Sequence, residues 1–395
     1  MKRSRMRITD FGRVVTGKTP PTKQREFFDG EYPFITPSDL EYDSYYVTQT
    51  ETSVTNDAKT RFPNQFIPAG AITYTCIASV GKIGIAERES LTNQQINSLI
   101  PNEHHDGKFL YYLLRNETKQ IQGLCSGVAT PIINKSDFEK IELDVPSELA
   151  VERTIGMILS AYDDLIENNR RRMALLEDAA QQLYNEWFVR LHFPGHEHTR
   201  ITDGVPDGWE RKTLGDLCAE VRKSVKPDAL DPDTPYIGLE HMPRRSISLS
   251  EWGTAEQVVS SKHRFCEGEI LFGKIRPYFH KVGVVFVDGV ASSDAIVIRP
   301  LDLKVHGLVL MAVSSDPFVA VTAQTMREGS KMPRADWKQM REYPVPLPPD
   351  GLLGSFESQI QSIVEQLKTL SFANHKLRAA RDLLLPRLMS GEIAV

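Results

Sequence analysis

The sequence predicts an α+β protein in which two mixed α/β modules are separated by two long helices that pair as a coiled coil. The whole forms an internal pseudo-twofold repeat. Two observations carry this. Residues 152–190 place Ile155, Ile158, Tyr162, Leu165, Met173, Leu176, Ala180, Leu183 and Trp187 at steps of three and four, the seam of a helix packed lengthwise on another. The pattern returns near the C-terminus with Ile360, Ile363, Leu367, Leu370, Asn374, Leu377, Leu384 and Leu388. Shifting Ile155, Ile158, Leu165 and Asn169 by 205 lands on Ile360, Ile363, Leu370 and Asn374, so even the polar seam residue is reproduced.

The first module, residues 1–150, reads as strands at 66–67, 71–77, 83–86 and 96–100, each closed by Gly, Pro or Asn. A helix is expected at 109–117, and Val145-Pro146 closes the module. Residues 151–199 hold the first long helix and a linker. No Pro or Gly interrupts 157–190, so a rod roughly 50–60 Å long is expected. Ile155, Leu165, Leu370 and Leu377 are assigned to the helix-pair core, and Asn169 with Asn374 would set its register at a cost in stability. Trp187 and Phe188, large and apolar near the helix end, are candidate anchors for a partner protein.

The second module, 200–350, repeats the first. Phe66-x-x-x-Gly70-x-Ile72 matches Phe265-x-x-Gly268-x-Ile270 with one residue less of spacing. Lys82-Ile-Gly84 matches Lys281-Val-Gly283, Leu99-Ile-Pro101 matches Ile298-Arg-Pro300, and Asp137-Phe138 matches Asp336-Trp337, all at an offset of 199. Between these positions the modules differ strongly. Residues 351–395 form the second helix and tail, which Pro386 is expected to break beyond Leu385.

Net charge is −5, which does not advertise a nucleic-acid binder, but the distribution is uneven. Residues 1–25 carry eight Lys/Arg against one acid, and 262–281 and 322–341 each carry five against two, whereas 151–199 is net −3. Acidic spacers with basic patches on the modules are compatible with DNA binding. Four scattered cysteines without a C-x-x-C pair point to a reduced, cytoplasmic protein, and no apolar run is long enough to span a membrane.

Catalytic chemistry finds little support. His192, His196, Glu197 and His198 cluster in a punctuated connector without cysteine partners, so no metal is expected there. The nuclease-like string Pro206-Asp207-Gly-Trp-Glu210-Arg-Lys212 leaves too few residues for two carboxylates to converge on Mg²⁺. No phosphate-binding loop, dinucleotide fingerprint or Asn/Asp-Pro-Pro-aromatic tetrapeptide occurs. A single-chain DNA methyltransferase or endonuclease, and a coiled-coil scaffold that binds only proteins, are the competing readings.

The run Ala179-Ala-Gln-Gln-Leu183-Tyr-Asn-Glu-Trp187-Phe188-Val189 followed by His192-Phe-Pro-Gly195-His-Glu197 resembles the central region of type I restriction–modification specificity subunits. So do Pro206-x-Gly208-Trp209-Glu210, Leu214-Gly215-Asp216 and the ending Leu384-Leu-Pro-Arg-Leu-Met-Ser-Gly-Glu-Ile393. The resemblance implies two target-recognition domains that read double-stranded DNA as a bipartite, asymmetric site. It further implies docking of two methylation subunits and of restriction/translocase subunits. S-adenosylmethionine, ATP and Mg²⁺ would belong to those partners, with no cofactor and no catalysis on this chain.

DNA readers need cations for phosphates and side chains that reach base edges. The candidates in module one are Lys18, Thr19 and Lys23 in a basic loop, Thr75, Ser79 and Lys82 in a second, and Gly127 and Thr130 in a third. Module two offers Lys274, Arg276, Tyr278 and Lys281, then Ser330, Lys331 and Arg334. Asn93-Gln94-Gln95 has the chemistry to read adenine, although amides beside a strand commonly satisfy backbone groups.

Overall fold

The computed structural model describes residues 2–125, 130–324 and 334–395. The chain divides into two compact units, Met1–Ile166 with Lys376–Val395, and Glu167–His375. Both boundaries fall inside the long helices, which run over Leu149–Tyr184 and Asp350–Ser390.

Unit 1 is built on a five-stranded sheet in the order Gly12–Thr16, Ile96–Pro101, Ile72–Thr75, Ile83–Ala86 and Tyr46–Val47. Its pairs are antiparallel except the last. A four-stranded sheet runs Thr52–Val54, Phe28–Ile35, Ser90–Thr92 and Phe66–Ile67. Unit 2 repeats both. Its first sheet runs Cys218–Val221, Ala295–Pro300, Ile270–Gly273, Val282–Val285 and Ser248–Leu249, again with only the last pair parallel. Its second sheet has the same strand order with one extra edge strand, Ser224–Val225. The short sequence matches mark shared backbone requirements. Gly70 and Gly268 both sit at φ +83°, a left-handed turn that a side chain would strain, and each donates its N–H to the sheet, at Ala86 O and Val285 O.

Each unit packs a module helix between its main sheet and a long helix. In unit 1 this is Gly107–Asn116, and in unit 2 His306–Val313, apolar all round and buried throughout. Burial explains that composition: no single helix among the described residues is long and apolar enough to cross a membrane.

The seam of the first helix departs from the apolar reading. Within unit 1 the buried stripe runs through Glu152, Ile155, Leu159, Asp163 and Ile166, with Gly156 and Ser160 buried beside it, while Leu165 is 51% exposed. The stripe is therefore rotated by one residue, because two of its places are taken by carboxylates that apolar spacing cannot register. Asp163 accepts from Tyr112 Oη and is ion-paired with Arg381, itself 1% exposed. Burial raises the Asp163 pKa, and the guanidinium pulls it back. Leu377 is only half-buried.

The second helix continues unbroken through Pro386, against the sequence expectation. A proline inside a helix costs about 3 kcal/mol or more. Here Leu385, Leu388 and Met389 lie in the unit 1 core, and Arg3 Nη1 caps the last turn by donating to Met389 O at 2.6 Å. Burying those side chains offsets the lost hydrogen bond.

Within unit 2 the two helices run antiparallel. Tyr184 meets Phe356 with ring centroids 6.5 Å apart, and Asn169 Nδ2 donates to Asn374 Oδ1 at 2.9 Å. The expected asparagine pair is thus formed and buried. Trp187 and Phe188 are buried too, 6% and 8% exposed against Phe356 and Trp209, so they are core and not free anchors. After Tyr184 the first helix widens into one π-turn, Asn185–Val189, and Leu191 in the left-handed region (φ 60°) ends it.

Glu357 on the second helix accepts from Gly307 N and Leu308 N, both at 2.8 Å. Burial raises its carboxyl from 4.5 to about 7, against those two hydrogen bonds. The folded state then holds the proton more tightly than the unfolded state does. Its contribution is full below pH 4.5 and is lost as pH rises to about 7, by at most ~3 kcal/mol. Denaturant unfolding of Glu357→Gln between these pH values should lack that decline; wild-type and variant curves of equal slope would contradict the assignment.

Candidate nucleic-acid interface

In unit 1 the strand Ser90–Thr92 turns into Ile96–Pro101 through Asn93-Gln94-Gln95. Asn93 Oδ1 accepts from Gln95 N at 3.0 Å, a local side-chain bond that sets the turn and leaves Gln94 exposed. Two loops lie against this turn. Lys18 N donates to Thr92 O (2.8 Å), and Thr19 Oγ1 donates to Gln94 Oε1 (2.6 Å). Gly17 approaches Thr92 O so closely that a Cβ would stand 2.2 Å away. On the other side Cys76 N donates to Gln95 O (2.7 Å), Ile133 N to Cys76 O and Ala78 N to Pro131 O. Four stretches that are separate in sequence therefore form one hydrogen-bonded cluster.

Unit 2 builds the same cluster from other residues. Ser292-Ser293-Asp294 replaces the amide turn, with Ser292 Oγ accepting from Asp294 N at 3.2 Å. Lys274 N donates to Asp294 O (2.7 Å), and Ala335 N to Lys274 O (2.9 Å). Asp294 pairs with Arg334 at 3.2 Å, and Lys274 Nζ donates to Ser293 O. Burial holds the Lys274 ammonium below its usual range, with Arg222 and Arg334 adding repulsion that Glu220 and Asp294 oppose. Lys281 is lowered likewise, by burial and then by Arg244, and its Nζ donates to Leu239 O at 2.6 Å. An incoming anion would relieve this crowding of cations.

The loop from Lys274 to Lys281 is held in an unusual shape. Arg276 (φ 51°) and His280 (φ 53°) are both left-handed and bracket the short turn Pro277–Phe279. Such residues cost on the order of 1–3 kcal/mol each and persist only where surroundings hold them. His280, 3% exposed, supplies that hold by donating Nε2–H to Ser314 O at 2.7 Å. The result presents Arg276 and Tyr278 outward, Tyr278 being 54% exposed. His280 escaped the sequence reading because nothing in its neighbourhood marks a buried anchor.

The other candidates divide sharply. Lys18 and Lys23 are exposed, Lys18 with its Nζ 5.1 Å over the Phe62 ring, and Ser79 and Thr130 are accessible beside the cluster. Thr75 is not: it is fully buried, and its hydroxyl is bound to Ser79 O and accepts from Lys82 N at 2.9 Å. It shapes the loop and cannot reach a base. Lys82 reaches Pro37 O at 3.3 Å and Glu41 at 3.2 Å, so its charge is spent internally. Gly127, Ser330 and Lys331 lie outside the described residues. In the connector, His192 meets Glu186 (2.9 Å) and His196 meets Phe193 O, and among the described residues no set of three or more His, Cys, Asp or Glu is placed to hold a metal.

The family model described as type I restriction modification DNA specificity domain matches this chain twice, over residues 4–178 and 206–379. The specificity subunit of the type I restriction enzyme MjaIX from Methanocaldococcus jannaschii is 26% identical over 409 aligned positions, covering 98% of this chain and 93% of that one. The HindI specificity subunit of Haemophilus influenzae is 33% identical over 173 positions, 43% of this chain and 38% of the relative. In fold, the chain is similar to the crystal structure of a type I restriction–modification S subunit from M. genitalium, with a TM-score of 0.59 at 16% identity over 98% and 96% of the two chains.

Variants at the cluster should separate into two kinds. Arg276→Gln and Lys274→Gln should weaken binding to duplex DNA by about tenfold or more each while the melting temperature holds. Thr75→Val should instead lose about 1–2 kcal/mol of stability through the unpaired loop groups. Fluorescence anisotropy and thermal melts distinguish them, and a Thr75→Val protein with full stability would contradict the structural role.

Proposed function

Because the chain belongs to the specificity subunits of type I restriction–modification systems and carries two tandem target-recognition domains, we propose that it reads a bipartite, asymmetric DNA site, one half per domain. The observation that supports this is the paired loop cluster. The same backbone path carries Asn93-Gln94-Gln95 in unit 1 and Ser292-Ser293-Asp294 in unit 2. Base edges are distinguished by donor and acceptor pattern, so like scaffolds with unlike side chains read unlike sequences. The two halves therefore differ, and the long helices set the gap between them.

In this reading the chain is a reader without a reaction of its own. Two methylation subunits and the restriction/translocase subunits join it and bring S-adenosylmethionine, ATP and Mg²⁺. With Trp187 and Phe188 in the core, the apolar groups left open on the helices are Met157, Leu165, Leu175, Val189 and Leu383, each 51% to 70% exposed. These are the residues that would receive a partner.

Methylome sequencing of cells expressing this chain with its methylation subunit tests the proposal. A motif split into two short elements is expected, and exchanging residues 1–150 for those of a relative should alter one element and leave the other. A continuous motif, or a swap that changes both halves, contradicts it.

A further inference from the structure

Beside the unit 2 loops lies a cleft of about 570 Å³ lined by Arg222, Lys223, Arg264, Arg299 and Asp288, among others. Its cations are unequal. Arg222 is engaged by Glu220 at 2.7 Å and Arg299 by the buried Glu269. Lys223 and Arg264 are exposed and have no ion pair or side-chain hydrogen bond among the described residues. Arg264 N donates to Lys223 O at 2.8 Å, which fixes the two residues side by side. One acid faces them, Asp288, whose Oδ1 accepts from Glu267 N at 2.8 Å. Val221, in the cleft wall, pairs with Val297, three residues from Asp294, whose carbonyl takes the Lys274 N–H, so the cleft adjoins the loop.

Strand register shows that unit 1 does not repeat these four charges, although Arg13 stands there at the place of Ala219. Val221 and Val297 correspond to Val15 and Ser98 in the two sheets, so Arg222 and Lys223 fall at Thr16 and Gly17. Arg299, opposite Ala219, falls at Ile100, opposite Arg13. Arg264, opposite Val290, falls at Phe66, opposite Leu91. Four cationic positions in unit 2 are uncharged in unit 1.

We propose that this cleft holds a backbone phosphate of the duplex whose bases the unit 2 loops read, through four cationic positions that unit 1 does not repeat; this rests on the chain being a DNA reader. Two unneutralised cations in a concave site attract a phosphodiester, and binding it releases condensed counterions. Asp288 in the wall suits a monoanionic phosphodiester better than a dianionic free phosphate. A phosphate contact positions the protein without adding sequence information.

The test uses the complex with its methylation subunits and a labelled duplex containing the target, with affinity measured from about 50 to 200 mM salt. For Lys223→Gln/Arg264→Gln, the slope of log K against log salt should become shallower by about one. Low-salt affinity should fall roughly tenfold, equally on target and non-target duplexes, with the methylated sequence unchanged. Lys304→Gln, an exposed cation outside the cleft, should keep the wild-type slope. An unchanged slope in the double variant, the same shallowing in Lys304→Gln, or an altered methylated sequence would overturn the proposal. The two levels fail differently: if Lys274→Gln and Arg276→Gln also leave DNA binding intact, the reading of the loops is wrong. If they weaken binding while the double variant keeps its slope, the cleft alone is wrong.

Discussion

A buried carboxylate near the start of each long helix takes the free N–H groups at the start of a module helix. In unit 1 Glu152, 1% exposed, accepts from Asp106 N at 3.0 Å and meets His105 Nδ1 at 2.9 Å. In unit 2 Glu357, 7% exposed, accepts from Gly307 N and Leu308 N. The first N–H groups of a helix have no partner of their own, and the helix dipole favours a negative charge there. Each bond set fixes where a long helix crosses a module helix, and that module helix backs the sheet whose strand ends carry the loop cluster. The path from helix to loop cluster is short and made of buried, directional contacts.

The two glutamates are 205 residues apart, the same offset that relates Asn169 to Asn374. They lay in plain view in the repeat, yet periodicity counted in apolar residues passes over a buried acid. The same blindness explains the rotated seam, where Asp163 with Arg381 takes the place expected for Tyr162 and Ile166 that of Leu165. Buried charges survive only in pairs, and the pairing of Asp163 with a residue 218 positions later is not a local property of either stretch. Pro386 shows the converse: a strong local rule is overridden by the burial of Leu385, Leu388 and Met389.

At the loops, legibility was of another kind. The repeated Gly, Lys and Pro positions marked shared backbone geometry, and the sheets of both units follow it strand for strand. Which side chains face outward depended on hydrogen bonds to distant strands. Thr75 and Lys82 share a loop with Ser79, but the turn that joins them consumes the hydroxyl, and Glu41 and Pro37 take the ammonium. Gln94 stays exposed, its Oε1 taking the Thr19 hydroxyl, because Asn93 and not Gln94 takes the backbone N–H of the turn. In the proposed function the unlike outward groups of the two units would be the physical basis for reading two unlike half-sites.

In the proposed function the helices act as a spacer between two readers. Seven residues added at matched positions of both helices preserve the seam and lengthen each by about 10 Å, close to three base pairs. Methylome sequencing of that variant with its partner subunits should return the same two sequence elements separated by a gap about three base pairs longer. An unchanged gap, or new sequence elements, would contradict the account.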